Sequence, residues 1–387
     1  MPDGSDALAV KVVSRIAEVP AAEWDACAGS NPFVSHAFLN ALEESGSATA
    51  ETGWLPQHLV LPDPKGGLLG CAPLYLKNHS YGEYIFDWNW ADAYERAGGQ
   101  YYPKLQCSVP FTPATGPRLL VNPTADRREV TAGLVAAMLE LTRRHQASSL
   151  HITFAPKEQY ETLGEFGLLQ RLGVQYHWEN RGYADFDGFL ADLVSRKRKA
   201  IKKERRKVVE SGIRLRPLTG EEIEPRHWDA FHEFYLATTD RKWGQPYLTR
   251  EFFHLLGARL AEQVVLVMAD YEGELVAGAL NLKSDDTLYG RNWGALGRFR
   301  FLHFEACYYQ AIDYAIAHGL QRVEAGAQGE HKIQRGYLPT PVYSAHWIGD
   351  PGFRDAVEHF LGREREAMEY EIAALGTQSP FKEGFGE

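Results

Sequence analysis

The pattern of apolar and polar positions predicts two β-hairpins that resemble each other in sequence. Residues 67–77 align with residues 273–283 through shared glycine, leucine and lysine positions. Each segment follows an apolar run, at 59–61 or 264–268, and a short polar turn that contains glycine. Two strand-like runs joined by such a turn predict an antiparallel hairpin. The long interval between the copies indicates two domains of one type rather than a solenoid of short repeats.

The elements predicted around the hairpins follow the same order in both halves of the chain, from apolar residues at strand or helix spacing. The first half reads as strand 10–13, helices 21–28 and 35–46, the hairpin, helix 125–145, strand 149–154, helix 160–172 and strand 175–178. The second half reads as helix 187–210, strand 213–217, helices 225–240 and 249–261, the hairpin, strand 287–293, helix 302–318 and strands 322–325 and 342–348. A charged helix at 353–375 and a disordered tail follow.

This order of strand, two helices, three antiparallel strands, helix, strand, helix and strand is typical of a mixed α/β fold. It also resembles the order of the GNAT acyltransferase fold. We therefore predict two tandem GNAT-like (acyl-CoA N-acyltransferase-like) domains, at 1–180 and 181–350, followed by a C-terminal helix and disordered tail at 351–387. The first domain carries an aromatic insertion at 84–117, and the second carries the presumed active cleft.

Composition supports two domains in a soluble protein. A chain of 387 residues exceeds what one core usually supports. The net charge of −10 argues against a protein that coats nucleic acid. The 4 cysteines form no CxxC pair, which favours reduced thiols in the cytoplasm over disulfides or a zinc site. We expect no signal peptide and no membrane span, because the N-terminus lacks a basic start with an apolar core and no apolar run approaches ~20 residues.

Several stretches resemble the FemAB-like transferases, which combine two GNAT-like domains with a basic helix at the start of the second. Residues 197–216 match that basic pattern, without the long coiled-coil insertion of some Fem proteins. A closer resemblance, to FemAB-like predicted N-acyltransferases of the peptidoglycan biosynthesis/recognition type, is carried by the stretches at 31–47, 79–96, 110–120, 302–312 and 326–336. FemAB-like enzymes add amino acids to peptidoglycan precursors from aminoacyl-tRNA. The resemblance implies transfer of an acyl or aminoacyl group from acyl-CoA or aminoacyl-tRNA to an amine, with no tightly bound cofactor.

A basic segment at 196–207 holds nine Lys or Arg residues and one acid. Val194, Ile201 and Val208 are seven apart and predict a narrow inward stripe on one helix. One reading is a site for the phosphates of coenzyme A, tRNA or a nucleotide-linked precursor, with the cations Arg196, Lys197 and Arg198 among its ligands. The other reading is a solvated helix face.

A glycine-containing segment between a predicted strand and helix could cradle phosphate. Its residues Arg291, Gly294, Gly297 and Arg298 give the spacing R-x-x-G-x-x-G. GNAT enzymes place a Q/R-x-x-G-x-G/A loop here, where backbone N–H groups hold the coenzyme A pyrophosphate. The spacing in this chain is one residue longer, which weakens the match to the coenzyme A loop.

The helix that follows offers three further candidates. His303 lies near its start, where the helix dipole favours a neutral base. Glu305 is about 200° from His303 by the helical repeat, so the two cannot face one cleft. Glu305 and Tyr309 are four residues apart and share a face. The alternative is that His303 is structural and the tyrosine packs in the core.

The strongest candidate site is the end of the predicted strand at 322–325 together with the small-residue turn that follows it. These two segments carry Glu324, Glu330, His331, Lys332 and Arg335. Amine acylation needs a base, donors for the oxyanion and an acid for the leaving group. Either glutamate could be the base, the histidine could be base or acid, and the lysine or arginine could hold the oxyanion or phosphate. No metal is expected, because no HExxH or related spacing is present. The alternative is a satisfied polar loop.

The aromatic insertion suits either a ligand or a domain interface. Its rings alternate with carboxylates, a combination that can bind a sugar, a cationic amine or an acyl chain. A competing hypothesis for the whole chain is therefore a non-catalytic module that recognises a cell-wall or peptide ligand. In the GNAT layout, the strand at 322–325 splays from its neighbour and the acyl group sits in the gap between them. The recognition-module hypothesis instead predicts that this gap is filled or collapsed. A hydrolase is less favoured, because no GxSxG motif or Cys/His pairing stands out.

Overall fold

The structure is a computed structural model of the chain, and it describes residues 9–241, 245–326 and 329–382, except the side chains of residues 240 and 241. The chain forms two compact units: Met1–Gly173 with Val342–Glu366, and Val174–Pro341 with Ala367–Glu387. Each unit is thus built from two stretches of sequence, whereas the predicted ranges were continuous. The prediction that the chain has no signal peptide was based on the N-terminal residues, and residues 1–8 lie outside the described part of the chain.

The first unit contains the predicted order of elements, with additional short strands. Its elements are β1 (Lys11–Val13), α1 (Ala21–Ala28), α2 (His36–Glu44), β2 (Leu55–Pro56), β3 (His58–Pro62), β4 (Leu68–Ala72), β5 (Tyr75–Lys77), α3 (Trp88–Arg96), β6 (Lys104–Cys107), β7 (Leu120–Val121), α4 (Arg127–Arg144), β8 (Ser149–Ala155) and α5 (Lys157–Glu165). Strand β9 (Leu169–Glu179) then carries the chain into the second unit.

The second unit repeats the same order of elements without the additional short strands. Its elements are α6 (Phe186–Asp192), α7 (Ser195–Glu210), β10 (Arg214–Leu218), α8 (Pro225–Arg241), α9 (Arg250–Leu260), β11 (Val264–Tyr271), β12 (Glu274–Lys283), β13 (Thr287–Ala295), α10 (Leu302–Phe304), a π-helical turn (Glu305–Tyr309), α11 (Gln310–Ala317) and β14 (Arg322–Glu324). Strand β15 (Leu338–Ile348) returns the chain to the first unit, and α12 (Pro351–Gly376) closes the fold.

In the first unit, α4 packs on one face of the sheet. Strands pair in the orders β1-β3-β4-β7 and β15-β8-β6-β5-β2. Leu134 and Met138 of α4 are buried with Leu150 and Ile152 of β8. Successive strand residues point to opposite faces, so His151 lies on the other side of the sheet, where it is also buried.

In the second unit the strand order is β10-β11-β12-β13-β14-β9, and only the β13–β14 contact within this order is parallel. Ile312 and Ala315 of α11 are buried with Leu288 of β13 and Val323 of β14. This packing holds α11 across the parallel pair. No helix in the described part of the chain combines the length and the apolar content needed to cross a membrane.

The two hairpins are present and differ in one respect. Gly67 and Gly273 both have the positive φ that their turns require, 81° and 89°. The second copy continues as one strand, β12. The first copy is interrupted at Pro73 and forms β4 and β5, because proline cannot donate a ladder hydrogen bond.

The helix predicted at 160–172 is wrong in its second half. Helix α5 ends at Glu165, and Gly167 adopts a left-handed φ of 81°. A left-handed glycine after the last turn ends a helix. Residues from Leu169 onward therefore enter strand β9, which is longer than the strand predicted at 175–178.

The helix predicted at 187–210 is broken, and the tail explains the break. The backbone N–H of Val194 donates to the carbonyl of Pro380 at 2.9 Å, and Leu193 forms a β-bridge with Phe381. Residues 193–194 are therefore extended between α6 and α7. The prediction of a disordered tail is wrong for residues 377–382, which this pairing orders; residues 383–387 lie outside the described chain.

Candidate functional site

Strands β13 and β14 diverge after a short parallel ladder. Thr287, Leu288 and Tyr289 pair with Arg322, Val323 and Glu324. Strand β13 then continues along β12 as far as Ala295, while the chain after Glu324 no longer pairs with β13. A wedge therefore opens between neighbouring strands of the second unit, as the GNAT-like order predicts.

A β-bulge lies at the mouth of this wedge. Leu280 pairs with Asn292 and Asn281 pairs with Gly290, so Arg291 is the extra residue on β13. A bulge bends its strand and increases the local twist. The bend occurs just past the last pairing with β14 and widens the gap there.

Two adjoining pockets occupy the opening. The small pocket, of about 100 Å³, is lined from β12, β13, the helix and the segment after β14 by Ala279, Leu280, Asn281, Gly290, Arg291, Asn292, Trp293, His303, Cys307, Tyr308 and Ala325. The large pocket, of about 400 Å³, is lined by Thr238, Trp293, Ala295, Gly297, Arg298, Phe299, Leu302 and His303. Both include Trp293 and His303, so the two pockets adjoin at these side chains.

The helix beneath the small pocket contains a π-helical turn, Glu305–Tyr309. Such single turns widen a helix locally and are frequent at functional sites. Cys307 and Tyr308 of this turn line the small pocket. The tertiary arrangement thus brings a thiol and a phenol to the wedge.

Lys332 is buried at the loop beside the wedge, with 4% of its surface exposed. Its Nζ donates to the carbonyl of Gly326 at 3.0 Å and lies 5.7 Å from the ring of Tyr176. Burial lowers its pKa to about 8, partly opposed by the nearby Cys307, which lines the small pocket. A lysine in this state can hold negative charge as a cation and can exchange a proton near neutral pH.

His331 lies at the same edge in a more exposed position. Its Nε2 and the Tyr308 hydroxyl are 3.1 Å apart and share a hydrogen bond. Burial lowers the pKa of His331, and the charges of Arg335 and Lys332 act in the same direction. The imidazole is therefore neutral near pH 7 and able to accept a proton. Glu330 is exposed beside it.

Three predicted site residues instead form an ion-pair cluster against α7. The carboxylate of Glu305 accepts a hydrogen bond from Arg205 at 3.0 Å, and the guanidinium of Arg335 donates one to Glu204 at 2.9 Å. The Tyr309 hydroxyl also donates to Glu204. The shared face predicted for Glu305 and Tyr309 is thus turned toward the basic helix, whereas His303 faces the pockets.

Glu324 is also buried away from the pockets. Its carboxylate lies 3.9 Å from the ring nitrogen Nε2 of His177 on β9. Burial lowers the pKa of His177 to about 3, with the charges of Arg322 and Lys332 adding to the effect. His331 and Lys332 therefore lie next to Tyr308 and Cys307, which line the small pocket, whereas the carboxylate of Glu324 lies beside His177.

The basic helix differs from its predicted packing at one end. Ile201 and Val208 are buried, but Val194 is 37% exposed because it lies in the extended segment before α7. Among the predicted phosphate ligands, Arg196 is exposed and Lys197 and Arg198 are half-buried. Their positions leave a cationic surface on α7.

The glycine-containing segment is mostly strand. Gly294 lies within β13, where a Cβ would come 2.3 Å from the carbonyl of Phe234 in α8. The close packing of α8 on β13 therefore requires a glycine at this position. Gly297 and Arg298 follow in the turn and line the large pocket, and Arg291 lines the small one.

Two carboxylates at the aromatic insertion, Glu83 and Asp87, are buried inside the first unit. Lys104 Nζ donates to Glu83 at 2.8 Å and also to Asp87. The Tyr101 hydroxyl donates to Asp87 at 2.6 Å. Of the carboxylates predicted to face a ligand, Glu83 and Asp87 are therefore held by a buried lysine instead. Asp92, Glu95 and rings such as Trp88 remain exposed.

Sequence reasoning missed Asn281, Trp293 and Cys307 at the pockets. Asn281 carried one available signal, because it is a lone polar residue between leucines in an apolar strand. Within residues 9–241, 245–326 and 329–382, no group of three or more His, Cys, Asp or Glu side chains is placed to hold a metal ion.

Solved structures share this architecture at low sequence identity. FemX matches with a TM-score of 0.55 and 13% identity, over 88% of this chain and 98% of FemX. L-PGS from Bacillus licheniformis matches with a TM-score of 0.51 and 9% identity, over 87% of this chain and 98% of L-PGS. A conserved protein of unknown function from Bacteroides thetaiotaomicron matches with a TM-score of 0.51 and 13% identity, over 88% of this chain and 100% of that protein. These likenesses concern the fold, and the prediction of a mixed α/β fold with tandem GNAT-like units is confirmed.

A family model covers nearly the whole sequence. No curated protein matches the chain. The FemAB-like family, described as peptidoglycan biosynthesis/recognition, matches residues 15–383. The match includes both units and the loop that carries Lys332, so the chain belongs to the FemAB-like family.

Proposed function

We propose that the second unit is a transferase centre that moves an acyl or aminoacyl group from coenzyme A or tRNA to an amine. The observation that supports this most directly is the divergence of β13 and β14 around the small pocket, with Lys332 buried beside it. A carbonyl group seated there would lie between strand backbone and a buried cation. Such an environment stabilises the charge that develops when an amine attacks.

The proposed step forms a bond from the amine nitrogen to the acyl carbon and breaks the bond from that carbon to sulfur or oxygen. The amine loses a proton, and the leaving thiol or hydroxyl gains one. Charged Lys332 is suited to hold the oxyanion. His331, hydrogen-bonded to Tyr308, is suited to accept the amine proton, and exposed Glu330 is a second candidate base.

The carrier is proposed to extend from the small pocket into the large one. Arg298 lines the large pocket, and Arg196 and Lys197 lie on the cationic surface of α7. These side chains can bind the phosphates of a carrier that is consumed as a co-substrate. The family description supports an amine of a peptidoglycan precursor as the acceptor. We propose that the reaction takes place in the cytoplasm.

The competing hypothesis of a non-catalytic recognition module predicts a filled or collapsed gap. The gap in the second unit is open, and this favours the enzyme. A thermal-shift comparison with coenzyme A and with muropeptides separates the two, because a ligand that binds only the folded state raises apparent stability. A muropeptide shift without transfer from any donor would favour the recognition module.

The test of the proposed function is transfer from a panel of acyl-CoA and aminoacyl-tRNA donors to amine acceptors. Wild type is compared with Glu330→Gln, His331→Ala and Lys332→Ala. We expect transfer by the wild type and reduced turnover in at least the histidine and lysine variants. Unchanged turnover in all three variants would remove the proposed site.

A further inference from the structure

Glu204 is the single acidic residue in the basic segment at 196–207. Its side chain is 16% exposed, whereas Glu210, the second acid of α7, is 49% exposed and pairs with cations of its own helix. A carboxylate taken out of water costs free energy unless it is paired and hydrogen-bonded. The contacts of Glu204 therefore indicate why an acid stands in this cationic stretch.

Both oxygens of this carboxylate are held by side chains from outside α7. Nη2 of Arg335, at the end of the 3₁₀ turn Glu330–Arg335, lies 2.9 Å from Oε1 and 3.0 Å from Oε2 of Glu204. The hydroxyl of Tyr309, the last residue of the π-helical turn, donates to Oε2. One carboxylate thus joins α7 to the turn that carries His331 and to the helix beneath the small pocket.

The same two partners lie on either side of the hydrogen bond between His331 and Tyr308. Nη1 of Arg335 donates to the backbone carbonyl of His331 at 2.8 Å. Tyr309 directly follows Tyr308, whose hydroxyl lies 3.1 Å from Nε2 of His331. Glu204 is therefore connected to the imidazole through Arg335 and to the phenol that binds it through Tyr309.

The charge of Arg335 makes its fixed position important. Its side chain is buried, and its guanidinium carbon lies 3.5 Å from the centroid of the Phe304 ring, which in turn is 5.5 Å from the imidazole of His331. A guanidinium remains charged at any ordinary pH. Without Glu204, a buried cation would lack its carboxylate partner next to the proposed base, and such a cation is strongly destabilising.

We infer that Glu204 is a positioning residue for the proposed transfer: it holds Arg335 and Tyr309 so that the imidazole of His331 is directed to the amine at the small pocket. This inference rests on the proposed function and adds to it a residue that touches neither carrier nor acceptor. A residue that orients a base affects the chemical step, because small displacements of a reacting group are costly. Binding of the carrier depends on other side chains and should persist.

The experiment uses single turnovers of the donor that gives transfer with the wild type, with enzyme and amine in saturating excess. The rate constant at saturation does not depend on the fraction of folded enzyme. Glu204→Gln keeps the shape of the side chain and removes its charge, and we expect the rate constant to fall by about 10- to 100-fold. The enzyme concentration for half-saturation should stay within about 2-fold. Glu210→Gln removes the same charge from the same helix and should change neither quantity.

Two further variants test whether Glu204 acts through its partners. Tyr309→Phe removes one hydroxyl contact to the carboxylate, and we expect a milder fall of about 3- to 10-fold. Arg335→Lys keeps the charge and loses the fork that reaches both Glu204 and the carbonyl of His331. Adding Glu204→Gln to Arg335→Lys should leave the rate constant within about 3-fold of the slower single variant, because coupled residues have non-additive effects.

Each outcome decides the inference. A rate constant for Glu204→Gln within about 2-fold of wild type, an equal fall in Glu210→Gln, or a double variant that falls by the product of the two single effects would overturn it and leave the proposed function standing. Absence of wild-type transfer with every donor would overturn the proposed function, and this inference with it. A slow Glu204→Gln with an unchanged Glu210→Gln and a non-additive double variant would support both.

Discussion

In both units a parallel pair of strands is joined over three residues and then diverges. In the first unit, Leu105–Cys107 of β6 pairs with Leu150–Ile152 of β8. In the second unit, Thr287–Tyr289 of β13 pairs with Arg322–Glu324 of β14. The ladders are equally short, so the difference between the units lies in what occupies the space beyond them.

The first unit fills that space with its own chain. After Cys107 the backbone leaves this sheet, and its next strand is β7, which belongs to the other sheet of the unit. Within this excursion, Gly116 N–H donates to the carbonyl of Phe154 at 3.0 Å, and Arg118, 1% exposed, donates to the carbonyls of Thr153 and Ala114 at 2.8 and 2.7 Å. The diverging strands of this fold expose backbone that must be satisfied, and the first unit satisfies it internally.

The second unit leaves the space as a pocket. Strand β13 is not interrupted, and small residues such as Gly290 and Ala325 line the opening. Lys332 is buried beside the pocket with a backbone carbonyl as its hydrogen-bond acceptor. The comparison therefore indicates a structural role for the filled wedge and supports the proposed ligand-binding role of the open one.

The largest expected effect is on turnover and comes from the open wedge. Lys332→Met keeps a long buried side chain and removes the charge, so we expect transfer to fall by about 100-fold or more. Lys65→Met, at an exposed hairpin turn of the first unit, is the control and should leave turnover unchanged. Equal rates for Lys332→Met and wild type would erase the functional difference between the two wedges.

The filled wedge should affect stability. Arg118→Ala leaves several buried carbonyls without their donor, so we expect a loss of about 3 kcal/mol in the free energy of unfolding. Urea denaturation measures it. Arg144→Ala, which removes an exposed i,i+4 pair with Glu140, should change stability by at most about 0.5 kcal/mol. A comparably small change for Arg118→Ala would show that the first wedge needs no filling.

The pH dependence of stability should distinguish the wedges further. The folded pKa of Lys332, about 8, lies below its ordinary value of 10.5. The unfolded chain therefore binds more protons between these values, and stability conferred by this residue rises with pH there. Relative to Lys332→Met, the wild type should gain about 3 kcal/mol between pH 8 and 10.5 and show a constant difference below pH 8. A flat difference across the whole range would contradict the burial of a titrating amine.

The smallest expected effect comes from narrowing the open wedge. Ala325→Leu places a branched side chain in the small pocket, and we expect about a 10-fold fall in kcat/KM with little change in the unfolding midpoint. Ala325→Gly is the matched variant and should retain activity. If Ala325→Leu transfers as fast as wild type, the acyl group does not enter between β13 and β14.

Much of the fold follows from local pattern. Helix α4 was predicted at 125–145 and spans Arg127–Arg144, and Ser35 and Thr249 accept the N-terminal N–H groups of α2 and α9. These elements have strong periodicity and their own capping residues. The break between α6 and α7 could not be predicted, because it depends on hydrogen bonds to the tail more than 180 residues away.

The candidate site divides in the same way. The sequence singled out the loop with His331 and Lys332 because ionisable side chains cluster beside small residues. It could not separate them from Glu324 and Arg335, since all lie within twelve residues of one another. Glu324 is buried against His177, and Arg335 is paired with Glu204. Both contacts depend on distant strands and helices.

The sequence by itself determined the element order, the repeated hairpin, the family and the loop that carries the charged residues, because each of these is written in neighbouring positions. Only the tertiary structure decided which wedge is filled and which is open. That outcome depends on where two diverging strands place their backbone and on whether a distant side chain, such as Arg118 in the first unit, donates to it. Long-range packing also set the burial of Lys332 and placed Asn281 in the lining of the small pocket.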